Sequence, residues 1–166
     1  MQFKEALAKL KQDKLFRQWE KENPEHYLAH GFFMHDKQVQ EEWQIGFYNK
    51  KDDRIVVFTV SDPVTKNPPS ELFKRESGVQ ELLVEDIAVE LDEALKLATS
   101  HREEKYRGHE PMKTIILLQK LKLGQVWNIT FVTSNFTVCN IKLDTKTKAV
   151  LSSSCESLLG WARRDQ

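Results

Sequence analysis

Five histidines, two cysteines and twenty-five acidic residues are the side chains with which this 166-residue chain could do chemistry, and their spacing decides whether it does. His26 and His30 share a parity on a predicted strand, and His35 and His109 could lie near them, as a metal site would require. Zinc sites use tighter, repeated spacings with cysteine or carboxylate partners. The histidines therefore read as strand-edge residues, and no metal or cofactor is expected. The carboxylates come as neighbours, at Glu41-Glu42, Asp52-Asp53, Asp92-Glu93 and Glu103-Glu104. General acid–base work needs two carboxyl groups facing each other across a cleft, whereas adjacent residues on a helix or strand point apart. Cys139 alternates with Val138 and Asn140 and has no histidine placed to activate it, which predicts a small buried hydrophobe and not a nucleophile. The six glycines form no phosphate-cradling cluster. No catalytic residue is assigned, and the chain is expected not to be an enzyme.

The elements that must position these side chains are announced by a repeat. Trp43-Gln-Ile45-Gly-Phe47 and Trp127-Asn-Ile129-Thr-Phe131 share the pattern Trp-x-Ile-x-Phe, and a Glu-Ala-Leu helix start precedes each, in Phe3-Lys-Glu-Ala-Leu7 and Leu91-Asp-Glu-Ala-Leu95. Such internal self-similarity marks a duplicated unit. The tryptophans are 84 residues apart and the helix starts 88, so one copy carries four more residues between helix and strand. Holding the offset at 84 sets Ile55 and Val57 against Cys139 and Ile141.

Apolar periodicity predicts a helix over 3–20, whose stripe of Phe3, Ala6, Leu7 and Leu10 continues with Leu15, Phe16 and Trp19 after rotating about the axis. Asn23-Pro24 ends it. Residues 26–35 predict a strand that is apolar on both sides, and 43–48 with 54–60 predict a hairpin around the turn-rich 49–53. A proline- and serine-bearing connector follows, with Leu72 and Phe73 placed to pack on apolar surface. Residues 79–90 read either as an extended lead-in, with Leu83, Ile87 and Val89 at period two, or as an early helical segment, and the extended form is expected. A second helix over 91–106 and strands over 113–121, 126–133 and 136–143 make the second unit, followed by a turn at 144–148 and Val150-Leu151. Ser153-Ser-Cys-Glu156 has the form of a capping box and predicts a short helix carrying Leu158, Leu159 and Trp161. The expected organisation is a first module over 1–62, a connector over 63–84, a second module over 85–152 and a C-terminal helix over 153–166. The expected fold class is α+β, with two tandem copies of one helix packed on a three-stranded antiparallel sheet.

Leu91-Asp-Glu-Ala-Leu-Lys-Leu-Ala98, the Trp-bearing strand, and Ile141-Lys-Leu-Asp144-Thr-Lys-Thr-Lys148-Ala-Val-Leu151 together resemble the PepSY domain of peptidase propeptides and bacterial regulatory proteins, over residues 85–152. In that family the last turn carries a glycine, a position filled here by Lys148, which cannot take positive φ without cost. The resemblance implies a non-catalytic, cystatin-like module that binds or restrains peptidases, or acts as a sensory or inhibitory domain.

Composition narrows the partners. Twenty-five basic residues balance twenty-five acidic ones, so no global field would draw the chain to nucleic acid or to an anionic membrane. No apolar run approaches the roughly 18 residues that cross a bilayer, and Met1-Gln-Phe-Lys-Glu does not begin like a signal peptide, so a cytoplasmic chain with free thiols at Cys139 and Cys155 is expected. The acceptor patterns Asn128-Ile-Thr130 and Asn135-Phe-Thr137 read as accidents in that compartment. Function is expected on a surface. The strand from Arg54 carries Ile55 and Val57 on one face and Val56, Phe58 and Val60 on the other, so both faces are apolar. Tyr48, Val56, Phe58 and Val60 are the candidate protein-binding surface, for a protein partner or a second copy of the chain, unless the other module, the connector or the C-terminal residues cover it. The alternative is a small-molecule carrier or enzyme with a cavity between helix and sheet, near Trp43 or Trp127.

Overall fold

The rotation of the apolar stripe between Leu10 and Leu15 is a break in the chain. The computed structural model describes residues 1–68, 78–108 and 110–160, and in it α1 (Phe3–Gln12) stops at Asp13 while α2 (Lys14–Glu22) starts there. Asp13 leaves helical geometry at ψ 138°, and its Oδ1 accepts from the backbone N–H groups of Leu15 and Phe16 at 2.8 and 3.2 Å. An N-cap is therefore embedded in what periodicity alone reads as one helix. The bend lets Phe3, Ala6, Leu7 and Leu10 of α1 and Phe16 and Trp19 of α2 all reach one core.

Four strands follow, β1 (Tyr27–Asp36), β2 (Gln44–Asn49), β3 (Arg54–Thr59) and the two-residue β4 (Thr65–Lys66). A 3-10 turn at Val84–Asp86 lies in the otherwise irregular stretch before α3 (Leu91–Lys105). The second half then repeats the meander as β5 (Pro111–Leu121), β6 (Gly124–Thr133), β7 (Thr137–Asp144) and β8 (Val150–Ser157). All eight strands form one antiparallel sheet in the order β4-β3-β2-β1-β5-β6-β7-β8.

This corrects the expected fold. The chain is not two modules of one helix on three strands; its described residues form three helices on a continuous eight-stranded sheet. Each half has a fourth strand, and the first strands of the halves pair with each other from His30↔Gln119 to Asp36↔Lys113, which removes the edge that a separate module would expose. The predicted C-terminal helix is overturned at its start as well. Residues 153–157 extend β8, with Ser153 opposite Ile141 and Glu156 opposite Val138, because a ladder to β7 satisfies more backbone than a one-turn helix could. Among the described residues a 3-10 turn, Leu158–Gly160, follows, and Trp161 lies outside them, as do Leu72 and Phe73.

The duplication is written in equivalent hydrogen bonds. The indole Nε1 of Trp43 donates to Met1 O at 3.0 Å, and that of Trp127 donates to Val89 O at 2.8 Å. Met1 and Val89 are 88 residues apart, as are the helix-starting Phe3 and Leu91. Each tryptophan thus ties its strand to the chain two residues before its helix, giving the buried indole a partner that its burial demands. Trp43 and Trp127 meet across the seam with ring centroids 6.2 Å apart, and both are almost wholly buried.

The halves also exchange bulk. Gly31 faces Ile45 in β2 as Ile116 faces Ile129 in β6, so glycine stands where the second half has isoleucine. A Cβ on Gly31 would lie 2.5 Å from the Phe3 ring. Phe3 corresponds to the smaller Leu91, so the bulkier helix side chain sits over the glycine.

The cysteines are the second correction. Cys139 and Cys155 lie directly opposite each other on β7 and β8 and form a disulfide, so they are not free thiols. The register places them together, which a separation of 16 residues along the sequence did not indicate. Cys139 does lie in the core, as its alternation predicts.

Candidate functional site: the open face of the sheet

All helical core side chains belong to one cluster on one face of the sheet. That face takes Trp43 from just before β2, Ile45 and Phe47 from β2, Val56 and Phe58 from β3, and Trp127, Ile129 and Phe131 from β6. Among the described residues no helix covers the other face. Its only cluster of buried apolar residues is small: Ala29, Tyr48, Ile55 and Val57, with Tyr27 and Val79 packed against them. Tyr27 donates its hydroxyl to Val79 O at 2.6 Å, so the end of the connector lies over this corner.

The predicted surface is therefore divided between the two faces. Tyr48 is on the open side, buried under that corner, whereas Phe58 and Val60 are core residues beneath the helices and Val56 packs against the same core. The assignment of Val56, Phe58 and Val60 to an outer face is corrected by the hairpin register. Phe47 pairs with Val56, nine residues on, but Phe131 pairs with Cys139, eight residues on. The repeat offset drops from 84 to 83 at this turn, and a one-residue slip sends every side chain to the opposite face. Ile55 and Val57, read as inner residues, are the outer ones.

Both faces of β1 and β5 are apolar because these are central strands, and their outer residues form the exposed middle of the sheet. Phe32 pairs with Leu117 and Met34 with Ile115 across the seam between the halves, and all four are half-buried. The β-branched and aromatic content that makes these segments strands is also what makes the surface sticky.

Next to this stripe lies a polar ladder on β6 and β7. Asn140 donates through Nδ2 to Asn128 Oδ1 at 2.6 Å and to Thr130 Oγ1 at 2.9 Å, and its Oδ1 accepts from Lys142 Nζ at 2.5 Å. These side chains are half-buried and already oriented, so the face offers hydrogen-bonding groups at low entropic cost.

The residues best suited to chemistry are dispersed. His26 packs edge-on to Trp19 with centroids 4.9 Å apart, His30 lies over Gly46, and His35 contacts the Glu41 carboxylate. His109 lies outside the described residues. Among the described residues no group of three or more His, Cys, Asp or Glu side chains could hold a metal. The acid pairs split as turn and helix geometry requires: Asp52 accepts from Asn49, Asp53 from Tyr48, Glu93 pairs with Lys148 and Glu103 with Arg102. The hydrogen bond to Asp53, then burial, pushes the Tyr48 hydroxyl up to about 12. That phenol is a structural donor. Trp43 packs against Phe3, Phe33 and Trp127, and both indoles are almost wholly buried.

No protein-family model matches the chain, and no curated protein matches it. The chain is similar in structure to a Clostridium difficile protein described as a "putative lipoprotein", with a TM-score of 0.54 at 11% identity over 89% of this chain and 97% of that one. At that identity the likeness extends to the fold alone.

Proposed function

We propose that the chain is a non-catalytic binding or regulatory protein that receives a partner protein on the open face of its sheet, across the seam between β1 and β5. The observation that carries this is the row Phe32, Met34, Ile115 and Leu117, apolar and uncovered among the described residues, beside an ordered polar ladder. Mixed composition of this kind fits a non-obligate partner better than a permanent homodimer, whose interface would resemble a core. The PepSY resemblance of residues 85–152 supports the same class of function, with a peptidase or another protein as partner. Nucleic acid is not the expected partner, given a net charge of zero.

The disulfide bears on compartment. Disulfides persist where the environment is oxidising, and the Cys139–Cys155 bond favours such a compartment over the cytoplasm that the sequence alone suggests. No described helix is long and apolar enough to cross a membrane.

The test is site-specific photocrosslinking in native extract, with the crosslinker at Leu117 or, as a control, at Leu15 on the exposed side of α2. An adduct from Leu117 alone, identified and remade from purified components, supports the proposal. Equal labelling from both positions, or an adduct with a second copy of the chain, overturns it.

A further inference from the structure

On the other side of the sheet a cleft of about 360 Å³ opens between α1, α2, the start of β1 and residues 81–85. Its volume lies within the range of small-molecule sites, roughly 300–1,000 Å³. Its apolar part is formed by Leu7, Trp19, Leu28, Phe47 and Leu82, and the rest of the lining is polar or charged. Three of these, Leu7, Trp19 and Leu82, come from separate segments of the chain that the core holds fixed.

The charges around the cleft are one-sided. Lys11 is set against Glu20, Glu81 and Glu85, and none of the three carboxylates has an ion-pair partner among the described residues. His26 Nδ1 is buried there without a hydrogen-bond partner among the described residues. An excess of two negative charges beside an apolar wall that includes Trp19, Leu28 and Phe47 selects for a cation that can also bury hydrocarbon.

We infer that this cleft is a second binding site, for a small amphiphilic cation with a hydrocarbon or aryl body and an ammonium head. It lies opposite the open face, and neither site depends on the other.

The test uses the full ¹⁵N-labelled chain, titrated with decyltrimethylammonium below its micelle concentration and, separately, with sodium decanoate. Saturable shifts at the Trp19 indole, His26 and residues 82–85 are expected with the cation. Decanoate should bind at least about fivefold more weakly, and Glu81→Gln/Glu85→Gln, which alters only exposed side chains, should weaken the cation about fivefold. Val84→Trp, filling the mouth, should abolish the shifts while leaving those of the open face in place. Equal binding of decanoate, cation shifts confined to Phe32 and Leu117, or an unchanged affinity in the double variant would each overturn the assignment.

Discussion

Removing the Cys139–Cys155 bond, either by reductant or as Cys139→Ala/Cys155→Ala, should cost about 3 kcal/mol. The bridge closes a loop of sequence separation 16, and the chain-entropy relation gives about 3 kcal/mol for a loop near 15 residues. For a domain of this size that corresponds to a fall in Tm of about 6–12 °C. The core should survive, because Cys139 is one buried residue beside Ile141, Phe131 and Ile129, and β8 keeps its ladder to β7. Thermal melts of the wild type with and without reductant, alongside the double variant, make the comparison. The reduced wild type and the variant should coincide, and the variant should not respond to reductant. A wild type whose melt is indifferent to reductant, with two titratable thiols in the purified chain, would refute both the pairing and the inference about compartment.

Further consequences follow from single residues. Gly31→Ala should destabilise by about 1–3 kcal/mol in urea melts, because the new Cβ meets the Phe3 ring, and adding Phe3→Leu, the pairing used in the second half, should recover part of the loss; additive costs would contradict the exchange of bulk. Lys148 holds φ at 68°, so Lys148→Gly should stabilise by roughly 1 kcal/mol, less what the exposed pair with Glu93 contributes, and a loss of stability would show that the pair dominates. Burial alone would raise the Asp144 carboxyl, but backbone hydrogen bonds from Thr147 and Lys146, with the Thr147 hydroxyl and the Lys146 charge, hold it below the ordinary carboxylate range. Its charged form is therefore favoured in the folded state, so the stability it contributes is present above the unfolded carboxylate value and lost as pH falls through the lower folded one. Asp144→Asn should flatten the acid limb of stability against pH, and an unaltered limb would mean that the turn does not depend on that charge.

The elements were legible because each carries a local signal, whereas what joins them does not. Trp43 and Trp127, the apolar alternation around Ile45 and Ile129, and the Glu-Ala-Leu helix starts are local patterns, and the structure builds equivalent elements from them. The apolar character of Phe32, Phe33 and Met34 on both sides of one strand was visible too, and is the mark of a central strand. Its pairing with β5 was not indicated, since strand pairing between residues 77 to 89 apart leaves no trace in either segment alone. The extra residue in the turn after Asn49 was hidden by holding the repeat offset constant, and it moved Phe58 from the predicted surface into the core. Ser153 to Glu156 met the requirements of a helix cap locally, while the ladder to β7 and the bond to Cys139 are tertiary. The candidate site suffered most, because a surface is defined by what fails to cover it.

The central claim is that the uncovered middle of the fused sheet is where this protein meets its partner. The direct measurement is the Kd of the complex, using the partner identified by crosslinking, for the wild type, for Phe32→Asp/Leu117→Asp and for Leu15→Asp, with folding of each checked by circular dichroism. The account predicts at least about a tenfold weakening for the sheet variant, the loss of a central apolar anchor, and no change for the helix variant. An unchanged Kd in the folded sheet variant would contradict it.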